Sequence, residues 1–295
     1  MTIAFGLAAA VLLGLGFVLQ QRVARQAPPA DSLKLRLFAD LIGKPVWLAG
    51  IAAMITGQVL GALALGGGDG QVSLVEPLLT TNLLFALVLA RLLSAQQLAA
   101  REWGGAVLLI AGVAAFIVAA QPGTGIGLTD PPRNWIFVGV IAVGVAVVVS
   151  FARRSSGAAR AGLLAAGAGM LFGVQDGFTR AAMLALDGGL GRLLESWLPY
   201  ALLAVAVLGL LLAQSAFEAA PLRASLPAIT AAEPLVGIAY GIGVFGETVR
   251  TAPVWLALEA VGLTAMITGV VLLARSPTLA PHRPHQPRRH SRVPP

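Results

Sequence analysis

Cysteine is absent from the 295 residues, which removes disulfide scaffolds, thiolate metal sites and cysteine nucleophiles together. Charge is scarce: 11% of residues are Asp, Glu, Lys or Arg, against about 25% in soluble domains. So few charges cannot coat a water-soluble globule of this size. Histidine is confined to His282, His285 and His290, near the C-terminus. No Walker motif, paired metal-binding histidines or Ser/His/Asp arrangement is visible. The lone glycine-rich stretch GTGIG (123–127) follows an apolar segment and is not a nucleotide site. No cofactor and no bound metal are expected, and the chain is not expected to be an enzyme.

What is there is apolar: 57% hydrophobic residues and a mean hydropathy of +0.85. Lipid suits such a surface, and in lipid a spanning backbone must be helical or a closed barrel. The apolar runs are long and continuous rather than alternating, which selects helices. Nine such segments stand out, at about 2–20, 46–65, 72–93, 103–120, 135–152, 158–179, 198–218, 222–245 and 254–274. The first could pass for a cleaved signal. It lacks a basic stretch before its apolar core, with Arg22 and Arg25 following instead, so it is read as a retained span.

The Lys and Arg residues lie in or beside the connections. Alternate connections collect 16 of the 20 on one side, in the groups 22–44, 91–101, 153–160, 223 and 275–292. Arg133, Arg192 and Arg250, with Arg180, fall on the other. The positive-inside rule then puts the N-terminus outside and the C-terminus in the cytoplasm, in a multi-pass cytoplasmic-membrane protein. The net charge of +7 is thereby an orientation signal and a contact with anionic lipid, and no nucleic-acid partner is needed. Residues 276–295, rich in Pro, Arg and His, read as a disordered cytoplasmic tail; its histidines either bind a metal or, on the preferred reading, are simply solvated. Segment 27–45 is amphipathic and is expected to lie along the inner interface.

The segments repeat with inverted topology. A shift of 151 residues sets Asn82 against Glu233 and Ala95-Gln96 against Gly246-Glu247. The first span compares with the sixth, the second with the seventh (Gln58 against Gln214) and the fourth with the ninth. Each pair runs in opposite directions, leaving the fifth span as the odd member. The expectation is an all-α, polytopic transmembrane bundle of about nine spans, arranged 4 + 1 + 4. One transporter domain covers 1–275, with repeat one at about 1–120 and repeat two at about 135–275. Secondary transporters built this way hold their site near the midplane, at the repeat interface.

An ionisable group at the bilayer centre costs roughly 2.5–3.5 kcal/mol on insertion scales, so it normally faces a cavity or a partner. Glu233 lies mid-span and Pro234 follows it, removing a backbone donor and freeing a carbonyl one turn earlier. It is either a substrate, cation or proton site, or a protonated carboxylate bonded to a neighbouring helix. Asn82 is a cavity contact or an interhelical hydrogen-bonding residue. Glu76, beside Pro77, lines an outer vestibule or sits at the interface. Gln58 and Gln214 are polar ligands or interhelical glue. Asp176 and Arg180, four apart, form a gate or an interfacial ion pair.

The string EPLVGIAYGIGVFGE (233–247) resembles the last-repeat hallmark of the drug/metabolite transporter superfamily, particularly EamA-like proteins, with Glu233, Pro234, Gly246 and Glu247 matching. In the first repeat Ala95-Gln96 replaces the corresponding Gly-Glu. FVLQQRVAR (17–25), and KPVWLAGIAAMITGQVLGALAL (44–65) leading into VSLVEPLLTTN (72–82), look similar to the NIPA-type magnesium transporter branch, although Gln58 stands where that branch carries a carboxylate. The resemblance implies a ten-helix transporter fold reduced to nine, and secondary transport of a small metabolite or drug-like solute by alternating access. Glu233 would couple or bind, with Asn82, Gln58 and Gln214 lining the cavity. The alternatives are a Mg²⁺ or other divalent cation transporter, using Glu233 with Glu76 or Asp176, and a non-transporting membrane scaffold or partner subunit. The expected partners are a small-molecule substrate or cation, the lipid bilayer and, as an option, a second copy in a homodimer.

Overall fold

A computed structural model of the chain describes residues 2–26, 33, 36–66, 79, 81–94, 99–120, 131–186, 189–246 and 250–274. Among the described residues the regular structure is entirely helical. The helices are α1 (Thr2–Ala24), α2 (Arg36–Ile42), α3 (Pro45–Gly66), α4 (Asn82–Ser94), α5 (Ala100–Ala120) and α6 (Pro131–Arg153). They continue with α7 (Gly157–Leu186), α8 (Leu190–Glu195), α9 (Leu198–Ala219), α10 (Leu222–Phe245) and α11 (Pro253–Ala274). Their starts and stops follow local chemistry. Pro45, Pro131 and Pro253 open α3, α6 and α11, where a missing N–H costs nothing. Gly246 closes α10 in the left-handed conformation, with φ 66°, and its N–H donates to the Gly241 carbonyl.

Seven of these helices are long and apolar enough to cross a bilayer, and an eighth crossing results if α2 and α3, bent by 94° at their junction, count as one span. The chain is therefore an all-helical, multi-pass membrane protein. Seven of the nine apolar segments coincide with those helices. Segment 46–65 forms most of α3, and of segment 72–93 the described part is chiefly α4. Within the amphipathic segment 27–45, residues 36–42 form α2. The tail from 276 onward, the GTGIG stretch, Glu76, Gln96, Glu247 and the side chain of Arg180 lie outside the described residues.

Side-chain and backbone contacts sort the helix ends into two groups. The Gln21 amide nitrogen donates to the Ala220 carbonyl, and Glu102 pairs with Arg223, so the end of α1, the start of α5 and the α9–α10 turn lie together. Arg22, Arg91, Arg101, Arg153 and Arg160 fall at this basic end by connectivity. At the opposite end the Arg250 N–H donates to the Ala120 carbonyl at 3.4 Å, and Trp135 lies 4.9 Å from Trp197 ring to ring. Arg250 stacks 4.4 Å over the Trp255 ring there, an interfacial arrangement of the kind expected for an aromatic belt.

The bundle reads as two sets of packed helices whose most extensive junction is one seam. α1 packs antiparallel on α3 and parallel on α4; α7 packs antiparallel on α9 and parallel on α10. α6 packs mainly on α7. The seam is the antiparallel pair α5–α11, where Gly112 meets Gly262 and Gly105 meets Gly269. A Cβ on Gly112 would lie 2.7 Å from the Gly262 carbonyl oxygen, and one on Gly262 would lie 2.8 Å from that of Gly112. Backbones this close leave no room for a side chain, and small residues are how helices gain contact in lipid, where there is no hydrophobic drive between them.

The seam can be tested directly. Gly112→Val or Gly262→Val should lower stability by about 1–3 kcal/mol or more through forced separation of α5 and α11. Gly139→Ala, where an added Cβ meets nothing within 4 Å, should leave it unchanged or raise it. Thermal unfolding in detergent distinguishes the three; equal effects at all three positions would contradict the packing.

Candidate functional site

Glu233 occupies the middle of α10, eleven residues from Leu222 and twelve from Phe245, or roughly 17 Å of helix from either end. Pro227 and Pro234 both lie inside this helix. Pro234 leaves the Thr230 carbonyl without its helical donor, while the Thr230 hydroxyl donates to the Leu226 carbonyl at 3.1 Å. Burial changes at this point. Leu222 to Pro227, Ile229 and Thr230 are buried, and every residue from Ala231 to Ile238, Glu233 and Pro234 included, is half-buried.

Two glycines bring neighbouring helices onto Asn82, the first residue of α4, and onto Glu233 in the same way. A Cβ on Gly14 of α1 would lie 2.9 Å from the Asn82 carbonyl oxygen and 2.8 Å from the Ala86 nitrogen. One on Gly173 of α7 would lie 2.5 Å from the Glu233 carbonyl oxygen and 2.8 Å from the Gly237 nitrogen. Asn82 and Glu233 thus hold matching places, each one turn before the residue whose nitrogen backs the same glycine. Asn82 is half-buried, and among the described residues its Oδ1 is buried without a hydrogen-bond partner, as are Asn134 Nδ2 and Glu259 Oε1. Asp176 is exposed and reaches the same α7–α10 face; its Oδ2 would lie 3.9 Å from a Cβ on Gly237. α4 also packs on α10. Leu83, Leu87 and Ala90 share a core cluster with Leu222, Leu226 and Ile229, closing the bundle on the basic side of Asn82 and Glu233.

The two glutamines part company. Gly57 packs on Leu13 of α1 and Gly209 packs on Phe172 of α7, so the packing register matches Gly57 with Gly209. Gln58 then corresponds to Leu210, four residues short of Gln214. Gln58 is exposed, whereas Gln214 is fully buried. Expected as a counterpart pair, they sit in different surroundings because apolar helices align almost equally well in several registers.

Gln214 belongs to a polar clasp at the basic end and bonds between helices, as one of its two sequence readings had it. Its amide nitrogen donates to the Gln20 Oε1 of α1. The Trp47 indole N–H of α3 donates to its Oε1 at 3.2 Å, and the Gln20 amide donates to the Met54 sulfur at 2.7 Å. The Gln21 amide donates to the carbonyl of Ala220, just past the end of α9, at 3.2 Å. Beside it Glu102 of α5 pairs with Arg223 of α10 at 3.7 Å, both buried. Glu102 also accepts the Ala99 N–H at 2.5 Å, capping the start of α5. These contacts join α1, α3 and α5 to α9 and α10. At the opposite end a second buried pair, the Tyr240 hydroxyl donating to Asn134 Oδ1, joins α10 to α6 inside an aromatic cluster with Phe137 and Phe178. The adjacent Gln20-Gln21 in an apolar run is the one visible sign of the clasp in the sequence. Among the described residues no group of three or more His, Asp and Glu comes together to hold a metal ion.

The ion pair makes a sharp prediction. Glu102→Leu strands a buried guanidinium and should cost about 3–5 kcal/mol, and adding Arg223→Met should recover most of that loss. Unfolding temperatures of the single and double variants check it; a double variant no better than the single would contradict the pairing.

No family model matches the chain, and no solved structure matches it. A search of curated proteins finds an uncharacterized protein of Corynebacterium glutamicum, 31% identical over 288 residues, covering 95% of this chain and 96% of that one.

Proposed function

The chain belongs to the same family as that Corynebacterium glutamicum protein, and from this premise we propose that it is a secondary transporter of a small metabolite or drug-like solute in the cytoplasmic membrane, working by alternating access. The observation that carries the reading is the like packing of Asn82 and Glu233. Asn82 and Glu233 stand on helices related by the 151-residue shift, each backed by a glycine of the first long helix of its half. The helix pairings α1–α3 and α7–α9, α1–α4 and α7–α10, and the self-complementary α5–α11 seam support an inverted repeat of 4 + 1 + 4 spans with α6 as the odd member. Such repeats place substrate at the midplane between the halves. The resemblance of 233–247 to EamA-like members of the drug/metabolite transporter superfamily points the same way.

In this reading the basic end is cytoplasmic, by the positive-inside rule, and the N-terminus is outside. The clasp and the core below Thr230 close the cytoplasmic end, and the half-buried stretch 231–238 borders a path from outside. Glu233 binds or couples, the unpartnered Asn82 Oδ1 accepts a donor from the substrate, and Asp176 stands towards the outer mouth. A solute or proton gradient supplies the energy, as no nucleotide-binding motif occurs in the chain.

Reconstitution in proteoliposomes with a metabolite panel, Mg²⁺ and a pH-sensitive dye tests the proposal. Uptake of an organic solute is expected, and Glu233→Gln should reduce it by about tenfold or more, a coupling loss of about 1.4 kcal/mol, at unchanged unfolding temperature. Flux of Mg²⁺ alone would replace the substrate class. Absence of any flux from folded protein would support a scaffold.

A further inference from the structure

Each half of the bundle contains one short helix at the same point of the chain path. α2 lies between α1 and α3, and α8 lies between α7 and α9. Their environments differ. α2 turns by 94° from α3 and lays Leu37 and Leu41, which are 0% and 1% exposed, against Val23 of α1, Trp47 of α3 and Leu211 of α9. The Leu33 N–H, just before α2, donates to the Ser215 hydroxyl of α9 at 3.0 Å. A segment of the first half is thus fastened onto a helix of the second, directly over the Gln20–Gln214–Trp47 clasp. α8 packs on α7 and α9, and none of its residues is buried. Leu190 and Leu194, four apart like Leu37 and Leu41, are 61% and 56% exposed.

The register set by Gly57 and Gly209 says what α8 would dock against. Counting two and six residues on from each glycine, Leu211 corresponds to Val59 and Ser215 to Leu63. Leu211 and Ser215 receive the α2 segment; Val59 and Leu63 of α3 are each 53% exposed. One end of the bundle therefore has a docked strap on an occupied face, and the other has an undocked strap and a matching face with both residues exposed.

We infer that α2 and α8 are reciprocal straps: α2 on α9 seals the basic end in this structure, and α8 docks on Val59 and Leu63 of α3 to seal the opposite end when α2 releases. This rests on the alternating-access reading and supplies the moving parts of that reading. Release of α2 uncovers the clasp, so the amide chain through Gln214 can exchange its partners, while the leucines of α8 leave the interface for a protein surface. Each strap crosses from its own half to the other, so the two docked states differ in which half reaches over.

The test uses the full chain, whose lack of cysteine makes every introduced thiol unique. One pair is Leu33→Cys with Ser215→Cys; the other is Leu194→Cys with Val59→Cys, backed by Leu190→Cys with Leu63→Cys. The variants are reconstituted in phosphatidylethanolamine–phosphatidylglycerol liposomes, oxidised with copper phenanthroline or bridged with a short bis-maleimide, and read by peptide mass spectrometry, with unfolding temperature as the folding control. Both ends should cross-link. In the variant carrying one pair at each end, closing one pair should slow closure of the other by about tenfold or more, as two mutually exclusive states require. Complete cross-linking at 33–215 with none at either pair of the opposite end, in folded protein, overturns the proposal in favour of a permanent seal with α8 resting in the lipid interface. Independent closure of both pairs in one molecule overturns it as well. Solute flux in the same liposomes is scored separately. Strap exchange without flux removes the transport reading and keeps the device, and flux without exchange does the reverse.

Discussion

A polar group in hydrocarbon has no water to bond, and most of this molecule follows from that constraint. It accounts for the helical backbone, since only internal hydrogen bonding satisfies every peptide group across a bilayer. It also accounts for where the polar side chains are placed. Gln20, Gln21, Gln214, Glu102 and Arg223 are buried and bonded to one another or to backbone. They lie towards the basic end, where holding a charge costs less than at the midplane. The deeper polar positions are treated differently. Glu233 sits in a half-buried stretch beside a proline, and among the described residues the Oδ1 of Asn82 has no hydrogen-bond partner.

The same constraint shapes the packing. Lipid tails are as apolar as leucine, so helices gain by approaching closely rather than by hiding from solvent. Gly112 and Gly262 let α5 and α11 touch backbone to backbone, and Gly14 and Gly173 do so for α1 on α4 and α7 on α10. These contacts make firm units, and the polar clasp and the α2 strap run between them. Tight apolar seams and polar links between them together hold the bundle.

Much of this was legible beforehand. Continuous apolar runs marked the helices because every residue facing lipid or a neighbour must be apolar, and the sidedness of Lys and Arg marked which ends lie together. Glu233 was conspicuous as a carboxylate beside a proline in mid-span. Asn82 and Glu233, expected as a pair, are each approached by a glycine of a neighbouring helix, Gly14 and Gly173. Gln58 and Gln214 were misleading as a pair, since two apolar helices offer no local feature that fixes their relative register.

What the amino-acid sequence determined alone was the apolar, helical and membrane-spanning character of the chain and the sorting of charge along it, all properties set by one residue and the solvent around it. What only the tertiary structure decided was which polar residues meet. Gln20 and Gln214 are 194 positions apart, and Glu102 and Arg223 lie on α5 and α10, in different halves of the chain. Their bonds depend on helix rotation and depth, which packing geometry sets. The same holds for α2 and α8, short helices of similar composition, one buried and one bare because of the surfaces that the folded bundle presents to each.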